Sequence, residues 1–217
     1  MPITNFTAFF LLLLLLGCGK TDKKVVAASS TASDEELAIE YKNPGSDLPE
    51  LALSFGFNVE LIDMSTSDED KLHRTMELVG KVIATKAFRD GILNHSYNGV
   101  KTFVDNGGHT NAQIYKKILD AGEKLFPQRN NAMDMEIELY TDTSSNVVGY
   151  TYPSSPRIWM NTKYLNSYTP TMATANLTHE WLHKIGFGHA VSYSSSRDYS
   201  VPYAIGRLVA KIAATLD

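Results

Sequence analysis

Apolar residues recur along this chain with two different periods. "LALSFGFNVELID" (51–63) alternates loosely and predicts a first strand. Leu72, Met76, Val79, Ile83 and Phe88 repeat at helical spacing behind Ser67, and three acids fill the first turn, where a helix dipole favours them. "ILNHSYNGVKTFV" (92–104) sets Asn98-Gly99 between apolar runs, a hairpin signal. Thr110 and Gln113 form a capping box ahead of "IYKKILDAGEKLF" (114–126), a second helix. "MDMEIELYTD" (133–142) alternates at period two and reads as a strand. "NVVGYTYP" (146–153) and "RIWMNTKY" (157–164) read as two more, joined by a short Pro/Ser turn. Thr169 is placed as an N-cap and Pro170 as the first residue of a helix that runs to about Lys184 and ends at Gly186. Pro202 opens a final helix. Strands and helices in this order predict an α+β domain.

The N-terminus breaks this patterning. "AFFLLLLLLGC" (8–18) has no period and no polar face, and it is too short to span a bilayer. It fits the apolar part of a signal peptide, although the first ten residues carry no Lys or Arg. Leu15-Leu16-Gly17-Cys18 resembles the lipobox of bacterial lipoproteins. That resemblance implies a signal peptide over 1–17, cleavage before Cys18, and a lipid on its sulfur. Residues 18–47 then read as the lipidated Cys and a flexible tether, rich in Lys, Ala, Ser, Thr, Asp and Glu. A tether of about 30 residues reaches roughly 30 Å. The folded domain is expected over 48–217. Gly19 rather than Asp behind the cysteine favours the outer membrane or cell surface over the inner membrane.

Composition adds limits. The chain has 217 residues, 43% hydrophobic and 20% charged, enough for one folded domain with appendages. A net charge of −4 gives no reason to expect a nucleic-acid partner. Cys18 is the single cysteine, so no internal disulfide is available and packing must stabilise the domain. A monomer is expected.

Three of the six histidines stand together in "LTHEWLHKIGFGHAV" (177–191). His179 and His183 are four apart on the expected helix, so their imidazoles share one face. Gly186 frees the backbone to turn, so His189 can supply a third nitrogen. Three nitrogen ligands leave a fourth metal position open, as in catalytic zinc sites. Glu180, directly after the first histidine, is placed to act as a general base. His73, His95 and His109 read as surface histidines. Trp181, Leu182 and Trp159 read as core.

"HEWLHKIGFGH" (179–189) resembles the His-Glu-x-x-His-x-x-Gly-x-x-His signature of metzincin zinc peptidases. The resemblance implies a zincin-like fold: a twisted mixed sheet, an active-site helix and a C-terminal helix. It implies Zn2+ held by His179, His183 and His189, with Glu180 as the base in peptide-bond hydrolysis. "VVGYTY" (147–152) is the candidate edge strand for an extended substrate, with an interior strand as the alternative. The sequence departs from that family in two places. No Met follows His189, and Pro202 stands where the turn methionine is sought; Ala190 replaces an acid found in several subfamilies. Tyr203, beside that turn, is a candidate for steadying an oxyanion, with a structural tyrosine as the alternative. The expected protein is thus a lipid-anchored zinc endopeptidase of the bacterial cell envelope acting on proteins or peptides. The alternatives are a non-catalytic zinc-containing surface lipoprotein that binds peptides, and a zinc hydrolase of cell-wall peptides.

Overall fold

The computed structural model describes residues 55–216. The signal segment, Cys18, the tether and the first residues of the expected domain lie outside that range.

Four strands form one open mixed sheet in the order β1 (Gly56–Ile62), β2 (Ala132–Tyr140), β4 (Arg157–Asn161), β3 (Gly149–Thr151). β1, β2 and β4 run parallel, while β3 is antiparallel to β4 and closes one edge. The period-two pattern of β2 explains its two faces. Met133, Met135 and Ile137 are buried, while Asp134, Glu136 and Glu138 between them are only partly covered. The cross-strand pairs continue this division: Ile137 lies opposite Ile158, and Glu138 opposite Trp159.

Among the described residues, six α-helices accompany the sheet: α1 (Thr66–Ile83), α2 (Lys86–Leu93), α3 (Asn111–Asp120), α4 (Thr162–Ser167), α5 (Pro170–Lys184) and α6 (Val201–Ala213). The architecture is therefore mixed α and β, with one open sheet. The core lies between the sheet and helices α1, α5 and α6. It is centred on fully buried Leu72, Val79, Phe88, Ile137, Ile158, Leu177, Trp181 and Val209. None of the described helices is long and apolar enough to cross a membrane.

Several boundaries differ from expectation, each for a local reason. The stripe ending at Phe88 spans two helices, because the Thr85 hydroxyl caps Phe88 N–H at 3.1 Å and starts α2. α3 stops at Asp120, where Ala121 turns left-handed (φ 50°), so Leu125 and Phe126 stand exposed outside it. Asn98 and Gly99 both adopt positive φ and close a tight turn, with Tyr97 and Val100 exchanging backbone hydrogen bonds. The flanking runs do not continue as paired strands: Val104 bridges instead to Ser200. β4 ends at Asn161, whose side chain accepts from Lys163 N–H at 3.1 Å and caps α4.

Trp159 corrects the sequence reading. It lies on the outer sheet face, half-exposed, stacked on Tyr150 at 5.1 Å, with its indole N–H donating to Glu138 at 3.1 Å. Its alternation partner Ile158 takes the core position.

Candidate metal centre

Helix α5 begins where Thr169 caps Met172 N–H at 3.2 Å and Pro170 fits the first turn. Its sequence reads ATANLTHEWLHK with little periodicity, and the reason is visible: the helix is covered almost all round. Gly206 of α6 makes the approach possible, since a Cβ there would meet the Ala175 carbonyl oxygen at 2.8 Å and lie 3.6 Å from the His179 Cβ. Leaving α5, the chain reverses at Gly186 in the positive-φ region (φ 106°), which a side chain would strain. That turn brings His189 back over the helix.

The three histidines meet there. His179 Nε2 is 3.3 Å from His183 Nε2 and 3.2 Å from His189 Nε2. Two nitrogens bound tetrahedrally at about 2.0–2.1 Å from one ion stand about 3.3–3.4 Å apart, so the spacing fits a shared metal. The outer nitrogens explain the tautomers. His183 Nδ1 faces the Phe187 carbonyl at 2.8 Å, and His189 Nδ1 faces the Ala190 carbonyl at 2.9 Å. A carbonyl only accepts, so both protons sit on Nδ1 and both Nε2 lone pairs point inward. His179 differs: its buried Nδ1 meets no acceptor at full hydrogen-bond geometry, and the backbone at Pro202 is the group placed to take its proton. Burial, reinforced by the neighbouring imidazoles, holds His179 well below the ordinary histidine range and His183 down at about 3. His189 is lowered by the same burial. All three are neutral imidazoles at neutral pH. This group can hold a metal ion.

Glu180 is fully buried, and neither carboxylate oxygen has a hydrogen-bond partner among the described residues. Burial pushes its carboxyl up to about 8, with Lys184 pulling the other way. A buried acid without a donor is costly unless a further group completes it.

The remaining candidates fall into place around this group. Tyr203 is 1% exposed, its ring centroid 4.5 Å from that of His179 and 4.7 Å from that of His189. It forms an aromatic floor under two of the three histidines, in the stretch where no methionine is available. Its hydroxyl accepts from buried Arg197, whose guanidinium carbon lies 4.6 Å from the ring centroid. Pro202 opens α6 beside it, behind Ser200 as N-cap. His73 is exposed; His95 is half-buried and stacked on Phe103 at 3.9 Å; His109 is half-buried, edge-on to Phe187 at 6.0 Å. None of these three joins the cluster. The 147–152 segment supplies β3, at the sheet edge.

Sequence reasoning missed Lys184, Arg197, Glu123 and Asn176. Lys184 is 4% exposed, yet its ammonium donates to the carbonyls of Tyr152, Ser155 and Arg157 at 3.3, 2.6 and 2.7 Å. Burial brings it down to about 8. Its only sequence signal is its place one helical turn after Glu180. Glu123 accepts the Trp181 indole N–H at 2.5 Å and nothing local announces the pair. No protein-family model, curated protein or solved structure matches the chain.

Proposed function

We propose that the protein is a zinc-dependent endopeptidase of zincin-like, metzincin type. The observation that carries this reading is one juxtaposition: three inward-facing imidazole lone pairs at metal spacing, with an unpartnered buried carboxylate on the adjoining residue. The donor set suits zinc, being three neutral nitrogens, two of them with hydrogen-bonded outer positions.

In this reading His179, His183 and His189 hold the ion. A bound zinc supplies a Lewis acid that polarises the scissile carbonyl and makes water acidic enough to attack at neutral pH. Glu180 accepts the attacking water's proton on a carboxylate oxygen as the new C–O bond forms. It returns that proton to the leaving amine nitrogen as the C–N bond breaks. A nearby dication favours the carboxylate form of Glu180 against the burial that raises it. Tyr203 keeps His179 and His189 from rotating, and its hydroxyl, committed to Arg197, serves the floor rather than the substrate. The free edge of β3 binds the substrate as an added strand. Cys18 carries the lipid, and the domain works at the cell envelope, on the outer membrane or cell surface.

The test uses the full chain in detergent with a mixed peptide library read by mass spectrometry. Cleavage that stops with a chelator and returns with zinc is the expected result. Cleavage indifferent to chelator refutes the metal role. Zinc binding with no cleavage of any peptide favours a peptide-binding lipoprotein.

A further inference from the structure

Three residues of α5 lie in one row that the zinc ligands do not occupy: Asn176, Glu180 and Lys184, spaced i, i+4, i+8. The ends of this row both touch the β3 region. At one end the Asn176 side chain packs against Gly149; a Cβ on Gly149 would meet Asn176 Oδ1 at 2.8 Å and the Trp159 carbonyl oxygen at 3.1 Å. At the other end the Lys184 ammonium takes the Tyr152, Ser155 and Arg157 carbonyls. Eight helical residues rise about 12 Å. Three strand steps from Gly149 to Tyr152 cover about 10 Å. The edge strand therefore runs alongside the helix, held at both ends, with Glu180 midway along the row.

An ammonium has three protons, and Lys184 gives all three to this one connection. Residues 153–156, PSSP, join β3 to β4 with two backbone hydrogen bonds: Ser155 N–H donates to the Tyr152 carbonyl at 3.1 Å, and Glu136 N–H of β2 donates to the Pro156 carbonyl at 3.1 Å. β3 itself has only three residues. A strand this short, at an edge, leans on its pairing with β4, the Tyr150–Trp159 stack and the Thr151 hydroxyl on the Arg157 carbonyl, and Lys184 adds the tie to the end of the helix.

We infer that Lys184 is a positioning residue for the substrate: by clamping the β3–β4 connection to the end of α5, it holds the edge strand in register with Glu180 and the metal ligands. This rests on the peptidase reading above. It assigns to Lys184 neither a ligand role nor contact with the reacting atoms. A substrate backbone that pairs with β3 is placed only as well as β3 is placed. The effect of the clamp therefore falls on substrate binding rather than on the metal.

The full chain is compared with Lys184→Met and Lys184→Arg. Three readouts are taken: zinc affinity by competition with a chromophoric chelator, amide hydrogen exchange of segment 149–157 by mass spectrometry, and kcat and KM on a peptide chosen from the library. For Lys184→Met the expected result is zinc affinity within about twofold, exchange at least tenfold faster in 149–157, and KM at least tenfold higher with kcat within about threefold. Lys184→Arg, which retains donors, recovers part of both the exchange protection and KM. Unchanged exchange in Lys184→Met, or a fall in kcat with KM unaltered, overturns the inference. A parallel loss of zinc affinity also overturns it, because the lysine then acts by holding the helix end. If Lys184→Met fails to fold, Gly149→Ala presses on the same strand from its other end. It must then raise KM in the same way, and an unaltered KM there overturns the inference. Failure of the wild type to cleave any peptide strikes the peptidase reading instead, and the exchange readout still decides the clamp.

Discussion

Glu123 and Glu180 are both buried carboxylates, one bonded to Trp181 and the other preceding it in the chain. Glu123 is 2% exposed and accepts from the Trp181 indole N–H at 2.5 Å and from Asp134 N–H at 3.2 Å. Glu180 is fully buried and accepts from nothing among the described residues. Burial raises both, Glu123 to about 7 and Glu180 to about 8. The elevated pKa alone therefore does not separate a structural acid from a working one. The donors do. Glu123 joins the 121–131 loop, α5 and β2 into one body through Oε1, which takes both donors, while its Oε2 has none among the described residues. Glu180, next to the first of the three histidines, has no donor on either oxygen among the described residues, which is what a carboxylate kept for a bound group requires.

The sharpest way to break this comparison is to neutralise each acid in turn. Glu180→Gln is expected to lower kcat by about 10²–10⁴-fold while zinc stays bound, as loss of a general base does. Glu123→Gln is expected to leave kcat unchanged in the same assay. Next in size is removal of the metal or a ligand. Zinc at a hundred times its dissociation constant adds about 2.7 kcal/mol of stability, worth roughly 5–10 °C in melting temperature. Chelator or His183→Ala is expected to erase that increment in a thermal melt.

Trp181→Phe keeps most of the buried ring but removes the donor to Glu123. A loss of about 1–3 kcal/mol in urea unfolding is expected, the cost of leaving a buried acceptor without its partner. Zinc affinity is expected to hold in that variant. The smallest effect is a pH dependence. Burial raises the folded-state pKa of Glu123 to about 7 from its ordinary value of 4.5. Between these values the unfolded chain has released a proton that the folded chain keeps. Stability conferred by this group thus falls as pH rises from about 4.5 to 7 and levels off above that. Glu123→Gln is expected to flatten the slope of unfolding free energy in that window, read by urea titration at several pH values.

The cluster was legible because its determinants are local. Thr169, Pro170 and Gly186 bound α5, and the i, i+4 spacing puts His179 and His183 on one face. The position of His189 follows from a single reversal. The clamp was not legible. Lys184 reaches carbonyls 27 to 32 residues earlier, through backbone atoms whose side-chain identities are irrelevant to the bond. Tyr203 as a floor was visible only as a tyrosine near the right turn, because its packing on His179 depends on the α5–α6 approach at Gly206. Trp159 misled for a similar reason. In a half-covered sheet one residue of a pair faces out, and hydrophobicity alone assigned the larger one inward when Ile158 fills that place.

The most direct test of the account compares wild type and Glu180→Ala with zinc content measured in both. The account predicts one zinc per chain in each protein and peptide cleavage by the wild type alone. Equal cleavage by Glu180→Ala, or a wild-type chain that takes up no zinc, would contradict it.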